Sequence, residues 1–196
     1  MPRFLHVGCG QTPQSGTTPV LAGPEWQEVR LDISPDARPD ILASMTDMSA
    51  VASASMDALY AHHTLEHLYA HEVPVALAEF SRVLRPEGFA IIGCPNLRRV
   101  GELLAAGKLM EPAYHSAAGP VSAHDMLYGL GAALARGHLT MAHHSGFTSE
   151  SLGSLLHQAG FACVVKRQHG FNLTAYARKQ ATPDAQAEAW ARTHFI

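Results

Sequence analysis

Two glycines and an acid near the N-terminus are spaced as residues that could hold a ligand. Gly8 and Gly10 follow one apolar segment, and Asp32 lies at the end of the next. A glycine turn lets a ligand approach the backbone closely, and an acid at the end of a second strand can accept hydrogen bonds from both hydroxyls of a ribose. The spacing therefore predicts a nucleoside site.

The loop after these glycines discriminates between nucleoside ligands. A pyrophosphate needs the N-terminus of a helix packed behind three glycines. Here there are two glycines, and the next segment, residues 11–24, contains three prolines and two further glycines, so little helix can form. We therefore expect a nucleoside cofactor without phosphate rather than NAD or FAD.

A histidine run raises the question of a metal site. His63, His67 and His71 are spaced at i, i+4 and i+8. In a helix the outer two are about 12 Å apart along the axis, so the three cannot share one ion and only adjacent pairs could. Because zinc needs three or four ligands, we predict no metal site.

The candidate site residues alternate with predicted strands and helices. Strands are predicted at 3–7, 26–33, 40–43, 56–61 and 89–93, and a helix at 71–84 from its apolar spacing. Further helices are predicted to begin at Leu97, at Ser122 (ending before Gly137) and at Thr148, whereas 111–121 is predicted to be a loop. Residues 162–167 and 171–178 are predicted to pair as an antiparallel hairpin. This alternation indicates an α/β fold with a parallel sheet.

Composition indicates one domain and excludes several classes of partner. The chain has 196 residues, 47% of them apolar, which is enough for one core. A net charge of −3 provides no basic field for nucleic acid. Without an apolar run of about 18 residues or a signal-peptide pattern, we expect a cytoplasmic protein with no membrane partner. Cys9, Cys94 and Cys163 are too widely spaced to indicate a disulfide framework.

Six short motifs occur in a characteristic order: FLHVGCG at 4–10, RLDI at 30–33, DM at 47–48, AHHTLEHL at 61–68, EFSRVLRPEG at 79–88 and IGCPN at 92–96. Together they resemble the class I S-adenosylmethionine-dependent methyltransferases, in particular a branch of small bacterial enzymes. The resemblance covers roughly residues 3–178. It implies a Rossmann-like, doubly wound seven-stranded sheet with an antiparallel last strand. We expect a methyltransferase domain at 1–180, a helical insertion at about 97–146 on the acceptor side, and a C-terminal helical tail at 181–196.

The resemblance also implies S-adenosylmethionine as the cofactor and assigns its contacts. Asp32 would bind the ribose hydroxyls, Asp47 the adenine amino group, and Ile33 and Met48 would sandwich the adenine ring. The predicted contacts to the methionyl and ribose parts are Val7, Gly8, Cys9, Gly10, Ala61 and His62. The chain departs from the family in two ways: His6 replaces an acid that holds the cofactor's amino group, and the third glycine with its helix is missing.

The acceptor is expected to be a small or medium-sized molecule. Methyl transfer is an in-line displacement that depends chiefly on positioning, and a base is required only if the acceptor must lose a proton. His62, His63 and His144 are the candidates for that base. For each of them, hydrogen bonding to the backbone is an alternative role.

Two other functions remain open at this stage. One is a non-catalytic protein that binds a nucleoside or S-adenosylmethionine through a degenerate methyltransferase fold, as the incomplete glycine motif suggests. The other is an NAD-dependent oxidoreductase, which rests only on the shared strand, turn, strand and acid order. In the tail, Trp190 and Phe195 would either dock on the sheet or contact a second subunit of a homodimer.

Overall fold

The computed structural model describes residues 1–194, with the backbone alone described at 184, 193 and 194; Phe195 lies outside the described residues. One sheet is formed by β1 (Arg3–Val7), β2 (Gln27–Asp32), β3 (Ile41–Leu42), β4 (Met56–His62), β5 (Leu84–Pro95), β8 (Cys163–His169) and β9 (Asn172–Arg178). A separate hairpin consists of β6 (Pro112–Ser116) and β7 (Gly119–Ser122). The helices are α1 (Val73–Val83), α2 (Leu97–Ala105), α3 (Ala123–Tyr128), α4 (Gly131–Leu134), α5 (Ser149–Gln158) and α6 (Asp184–His194).

The order of the large sheet is β3-β2-β1-β4-β5-β9-β8. Strands β1 to β5 are parallel, and β9 is antiparallel to both of its neighbours. The seven-stranded sheet with a reversed last strand is therefore confirmed. Val7 pairs with Leu31 on one side and Ala61 on the other, so β1, β2 and β4 end at the same edge. Strand order reverses between β1 and β4, which is where ligands of open parallel sheets bind.

The two faces of the sheet have different covers. On one face, strand residues pack against α1 and α5, as the apolar spacing of the two helices predicts. The core on this face includes Leu5, Leu59, Leu77, Phe80, Ile92, Leu152 and Leu156. On the other face, Phe4, Tyr60 and Tyr176 pack with Leu21 of the proline-rich loop. That loop contains a single 3-10 turn at Gln14–Gly16, as its prolines predict.

The insertion at 97–146 has a small core of its own that includes Val100, Val121 and Met126. It is not wholly helical. The segment predicted as a loop at 111–121 contains most of the β6–β7 hairpin. The helix capped by Ser122 has the expected capping box, but it ends at Tyr128 because Gly129 adopts a φ of 97°.

The histidine run at 62–71 is not a helix either, so the helical spacing assumed for its three histidines is wrong. It contains one 3-10 turn at Leu65–His67, and α1 begins only at Val73. In the tail, α6 packs Ala187 and Ala191 against β8, and Trp190 lies 6.3 Å from Tyr176 between ring centroids. Within residues 1–194, no helix combines the length and apolar character of a membrane span.

Candidate functional site

The glycine turn leaves the end of β1 beside the end of β2. Gly8 and Cys9 donate backbone hydrogen bonds to the Leu31 carbonyl at 2.8 and 3.3 Å. Gly8 and Gly10 adopt φ angles of 62° and 49°, in the region that glycine enters without steric cost. The Arg30 guanidinium donates to the Gly10 carbonyl at 2.7 Å and thereby fixes the far end of the turn.

Asp32 is held rigidly at the end of β2. One carboxylate oxygen accepts the Gly10 N–H and the other accepts the Ser34 N–H, each at 2.8 Å. The residue is only 9% exposed. Each carboxylate oxygen has further acceptor capacity after these bonds, so the group can also accept hydrogen bonds from a pair of hydroxyls.

Thr64 is a neighbour of the glycine turn that sequence reasoning missed. A Cβ on Gly8 would overlap the Thr64 methyl group, whereas a Cβ on Gly10 would meet no atom of residues 1–194 within 4 Å. The Thr64 hydroxyl is buried and has no hydrogen-bond partner among the described residues. A fixed acceptor at Asp32, open space above Gly10 and this unsatisfied hydroxyl together fit a polar ligand such as the nucleoside of the predicted cofactor. Only the β1–β4 pairing places Thr64 here, so no local signal reveals it.

The other predicted cofactor residues fall into two groups. Ile33, 60% exposed, and Asp47 have accessible side chains at this edge. The side chains of Val7, Cys9, Met48 and Ala61 are buried, so only their backbones could line a ligand. Met48 is fully buried in the main core, which differs from the predicted sandwich of an adenine ring between its side chain and Ile33. Burial also raises the pKa of the Cys9 thiol to about 11.

The loop that carries Asp47 is held by α1. The Met48 N–H donates to the Glu79 carboxylate at 2.9 Å. The Arg82 guanidinium donates to the carbonyls of Met48 and Val51, both at 2.9 Å, and is paired with Glu79. The hydrogen bond from Arg82 lowers the pKa of Glu79. Glu79 and Arg82 occur in one of the sequence motifs, but only the tertiary structure reveals what they hold.

His62 lies at the end of β4, stacked on Tyr60 with 5.9 Å between ring centroids. Gly93 on β5 makes room for it, since a Cβ there would overlap the His62 ring. Burial, together with the neighbouring His63, lowers the pKa of His62 to about 4. The imidazole is therefore neutral at physiological pH and has a nitrogen able to accept a proton.

His63 is engaged through both ring nitrogens. Its Nδ1 is 3.1 Å from Glu66 Oε1, and its Nε2 is 3.1 Å from Asn172 Oδ1. Burial opposes the charged form, but the hydrogen bond and charge of Glu66 outweigh it and raise the pKa of His63. His63 also adopts a φ of 53°, a sparsely populated region for a residue with a side chain. It is better placed to hold Glu66 than to accept a proton.

His144 is exposed and stacks on Tyr69 with 4.2 Å between ring centroids. The backbone N–H of His144 donates to the Glu66 carbonyl at 2.8 Å. This bond joins the end of the insertion to the turn after β4. Of the three histidines proposed as bases, His62 is the last residue of β4, His63 follows it directly, and His144 is hydrogen bonded to the turn after β4. His6, at the position of the family's acid, is instead buried with its Nδ1 2.6 Å from Glu28 Oε1.

Comparison with known proteins yields one family match. Residues 5–92 match the family described as methyltransferase domain. No curated protein sequence matches the chain.

Solved structures share the fold at low sequence identity. An O-methyltransferase family protein from Burkholderia thailandensis is 13% identical with a TM-score of 0.63, over 93% of this chain and 52% of that one. The 1,6-didemethyltoxoflavin-N1-methyltransferase of the same organism, with 1,6-didemethyltoxoflavin and S-adenosylhomocysteine bound, is 16% identical with a TM-score of 0.57, over 92% and 72% of the two chains. A SAM-dependent methyltransferase from Thermotoga maritima, described as a possible histamine N-methyltransferase, is 15% identical with a TM-score of 0.58, over 92% and 83%. The chain thus spans about half the length of the first of these proteins.

Proposed function

We propose that this chain transfers a methyl group from S-adenosylmethionine to a small or medium-sized acceptor, because residues 5–92 match the methyltransferase domain family and the fold is shared with solved methyltransferases. The observation that carries the proposal is the fixed Asp32 carboxylate beside the open side of Gly10. This pair provides a diol acceptor and close backbone access at the edge where β1, β2 and β4 end.

The residues at this edge divide the work of holding the cofactor. Asp32 would accept hydrogen bonds from the ribose hydroxyls, and the backbone of Gly8 to Gly10 would hold the ribose and methionyl parts. The unsatisfied Thr64 hydroxyl is available to a polar atom of the ligand. Ile33 and Asp47 provide the accessible side chains on the adenine side. Met48 contributes its backbone alone.

When bound, S-adenosylmethionine would supply a methyl group activated by a sulfonium, so that an acceptor atom can bond to the methyl carbon as the carbon–sulfur bond breaks and S-adenosylhomocysteine leaves. The protein mainly has to align the acceptor and exclude water. If the acceptor must lose a proton, His62 is the best-suited residue, because its ring is half-buried and neutral. His63 is already bonded at both nitrogens, and His144 is exposed on the acceptor side.

The insertion provides the acceptor side of the site. Its C-terminal end contacts the turn after β4, because the backbone N–H groups of His144 and Ser145 both donate hydrogen bonds to the Glu66 carbonyl. Nearby residues include exposed apolar side chains: Tyr69, Tyr128, Leu139 and Met141. Exposed aromatic and aliphatic groups beside a few polar ones favour a small, partly apolar acceptor.

A nicotinamide cofactor fits this edge poorly. After Gly10 the chain forms a single 3-10 turn rather than a helix, so no helix N-terminus is present to bind a pyrophosphate.

A turnover assay distinguishes methyl transfer from the non-catalytic binding function. The purified chain is incubated with S-adenosylmethionine and a panel of small amines, phenols and carboxylates, and release of S-adenosylhomocysteine is measured. We expect acceptor-dependent release that falls strongly in Asp32→Asn and is unchanged in Asp36→Asn, whose carboxylate is exposed nearby. Binding of the cofactor without release for any acceptor would instead indicate the non-catalytic function.

A further inference from the structure

Three side chains with metal-binding groups converge beside the turn after β4. Glu66, His67 and His143 each offer one ligand atom, and these atoms lie within 4.8 Å of one another. The first two come from the turn at Leu65–His67 and the third from the end of the insertion. The sequence prediction of no metal site considered a different set of histidines, on the assumption that 63–71 is helical.

Glu66 has an unsatisfied carboxylate oxygen. The residue is 1% exposed, and its Oε1 is bonded to His63. Its Oε2 is buried, and no residue in the described part of the chain forms a hydrogen bond with it. A buried carboxylate oxygen without a partner is costly, because it has lost its hydration and gained nothing in exchange. A bound cation would satisfy it.

The two histidines are oriented as metal ligands usually are. Nδ1 of His67 lies 3.1 Å from the Ala142 carbonyl, and Nδ1 of His143 lies 2.9 Å from the Met126 carbonyl. A carbonyl oxygen can only accept, so each Nδ1 carries the hydrogen and each Nε2 carries a lone pair. Histidines that bind metals commonly donate their other ring N–H to a backbone carbonyl in this way. The rings are 5.0 Å apart and inclined at 66°, so they do not stack face to face.

We propose that Glu66 Oε2, His67 Nε2 and His143 Nε2 bind a divalent first-row transition metal ion such as Zn²⁺. Two imidazoles and one carboxylate match the ligand preference of zinc and its neighbours better than that of Mg²⁺ or Ca²⁺, which prefer oxygen. Three protein ligands also leave a coordination position open for water or another small ligand.

The ion would join two parts of the molecule. Glu66 and His67 follow β4, whereas His143 lies at the end of the insertion. The backbone N–H of the next residue, His144, donates to the Glu66 carbonyl. Bound metal would therefore fasten the end of the insertion against the sheet edge. This proposal concerns metal binding alone and does not depend on methyl transfer.

The test measures binding by the whole chain after treatment with a chelator. Protein dialysed against Zn²⁺ is analysed for bound metal, and its melting temperature is compared with that of the metal-free form. We expect one ion per chain held at micromolar free Zn²⁺ and a higher melting temperature. Both effects should be lost in His143→Ala and Glu66→Gln and retained in His71→Ala, which removes an exposed histidine of the same run.

Cobalt provides a readout that needs no variant. Co²⁺ bound to the unmodified chain should give the intense visible absorption bands of four- or five-coordinate cobalt, and Zn²⁺ should displace them. The proposal is wrong if the unmodified chain retains no ion, or if His143→Ala and Glu66→Gln bind as the unmodified chain does, since surface histidines would then explain the binding.

Discussion

At the scale of single residues, the position of His62 depends on the absence of a side chain at Gly93. A Cβ on Gly93 would overlap the His62 ring, and the two residues are paired on the neighbouring strands β4 and β5. Gly93→Ala should displace the ring and lower turnover at least tenfold, while binding of S-adenosylhomocysteine changes little. Overpacking of this kind also costs about 1–3 kcal/mol of stability.

Steady-state turnover and ligand titration of the same protein check this. Gly101→Ala is the matched control, because Gly101 lies within α2 and a Cβ there would meet none of the described residues within 4 Å. Unchanged turnover in Gly93→Ala would show that the position of His62 does not matter for transfer.

His62 also makes the stability of the fold depend on pH. Its pKa is about 4 in the folded protein, mainly because of burial, against about 6.5 when unfolded. Between these pH values His62 is protonated in the unfolded chain but not in the folded one. The contribution of neutral His62 to the free energy of unfolding is therefore complete above pH 6.5 and is lost as the pH falls towards 4. From pH 7 to pH 5 the loss is about 2 kcal/mol.

Urea unfolding at pH 7 and pH 5 measures this contribution. The difference between the two pH values should be smaller in His62→Gln than in the unmodified chain, by roughly that amount. Identical pH dependence in the two proteins would show that His62 is protonated as easily in the folded state as in the unfolded one.

At the scale of elements, α1 acts on the site through the loop after β3. Arg82 bonds the carbonyls of Met48 and Val51, so Arg82→Ala should loosen the loop that carries Asp47. We expect an affinity for S-adenosylhomocysteine several-fold weaker and faster amide exchange at 48–51. Arg99→Ala, which removes an exposed ion pair with Glu102, serves as the control. Slow exchange in Arg82→Ala would mean that other contacts hold the loop.

Local patterns predict the elements that have strong local signals. The spacing of Leu77 and Phe80 and the capping residue Thr148 predict the positions of α1 and α5 well. The β6–β7 hairpin escapes prediction because it contains Pro112 and Pro120 and is mostly exposed, so it lacks the apolar alternation of a half-buried strand. Such a segment is recognisable only from its pairing partner.

The residues of the candidate site likewise include some that local sequence predicts and some that only tertiary packing places. Gly8, Gly10 and Asp32 are predictable because turn chemistry and the strand end place them without reference to distant residues. By contrast, Thr64 reaches Gly8 through the β1–β4 pairing, and His143 reaches Glu66 across most of the insertion. Contacts between residues so distant in sequence depend on tertiary packing, which no local period encodes.

At the scale of the whole molecule, the insertion begins and ends at one place. The Leu97 N–H donates to the Phe147 carbonyl at 2.9 Å, and the insertion packs its own small core. Replacing 98–145 with a short glycine and serine linker should therefore leave a folded domain that binds S-adenosylhomocysteine within about threefold of the full chain, or roughly 0.7 kcal/mol. Transfer to any acceptor should be lost.

Circular dichroism and calorimetric titration of the shortened chain test this division of labour. A folded but non-binding product would show that the insertion completes the cofactor site rather than the acceptor side.

The most direct test of a cofactor site at Asp32 is calorimetric titration of the unmodified chain, Asp32→Asn and Asp36→Asn with S-adenosylhomocysteine. We predict a micromolar Kd for the unmodified chain, about −8 kcal/mol, weakened at least tenfold in Asp32→Asn and unchanged in Asp36→Asn. Absence of binding by the unmodified chain, or equal binding by Asp32→Asn, would contradict a cofactor site built on Asp32.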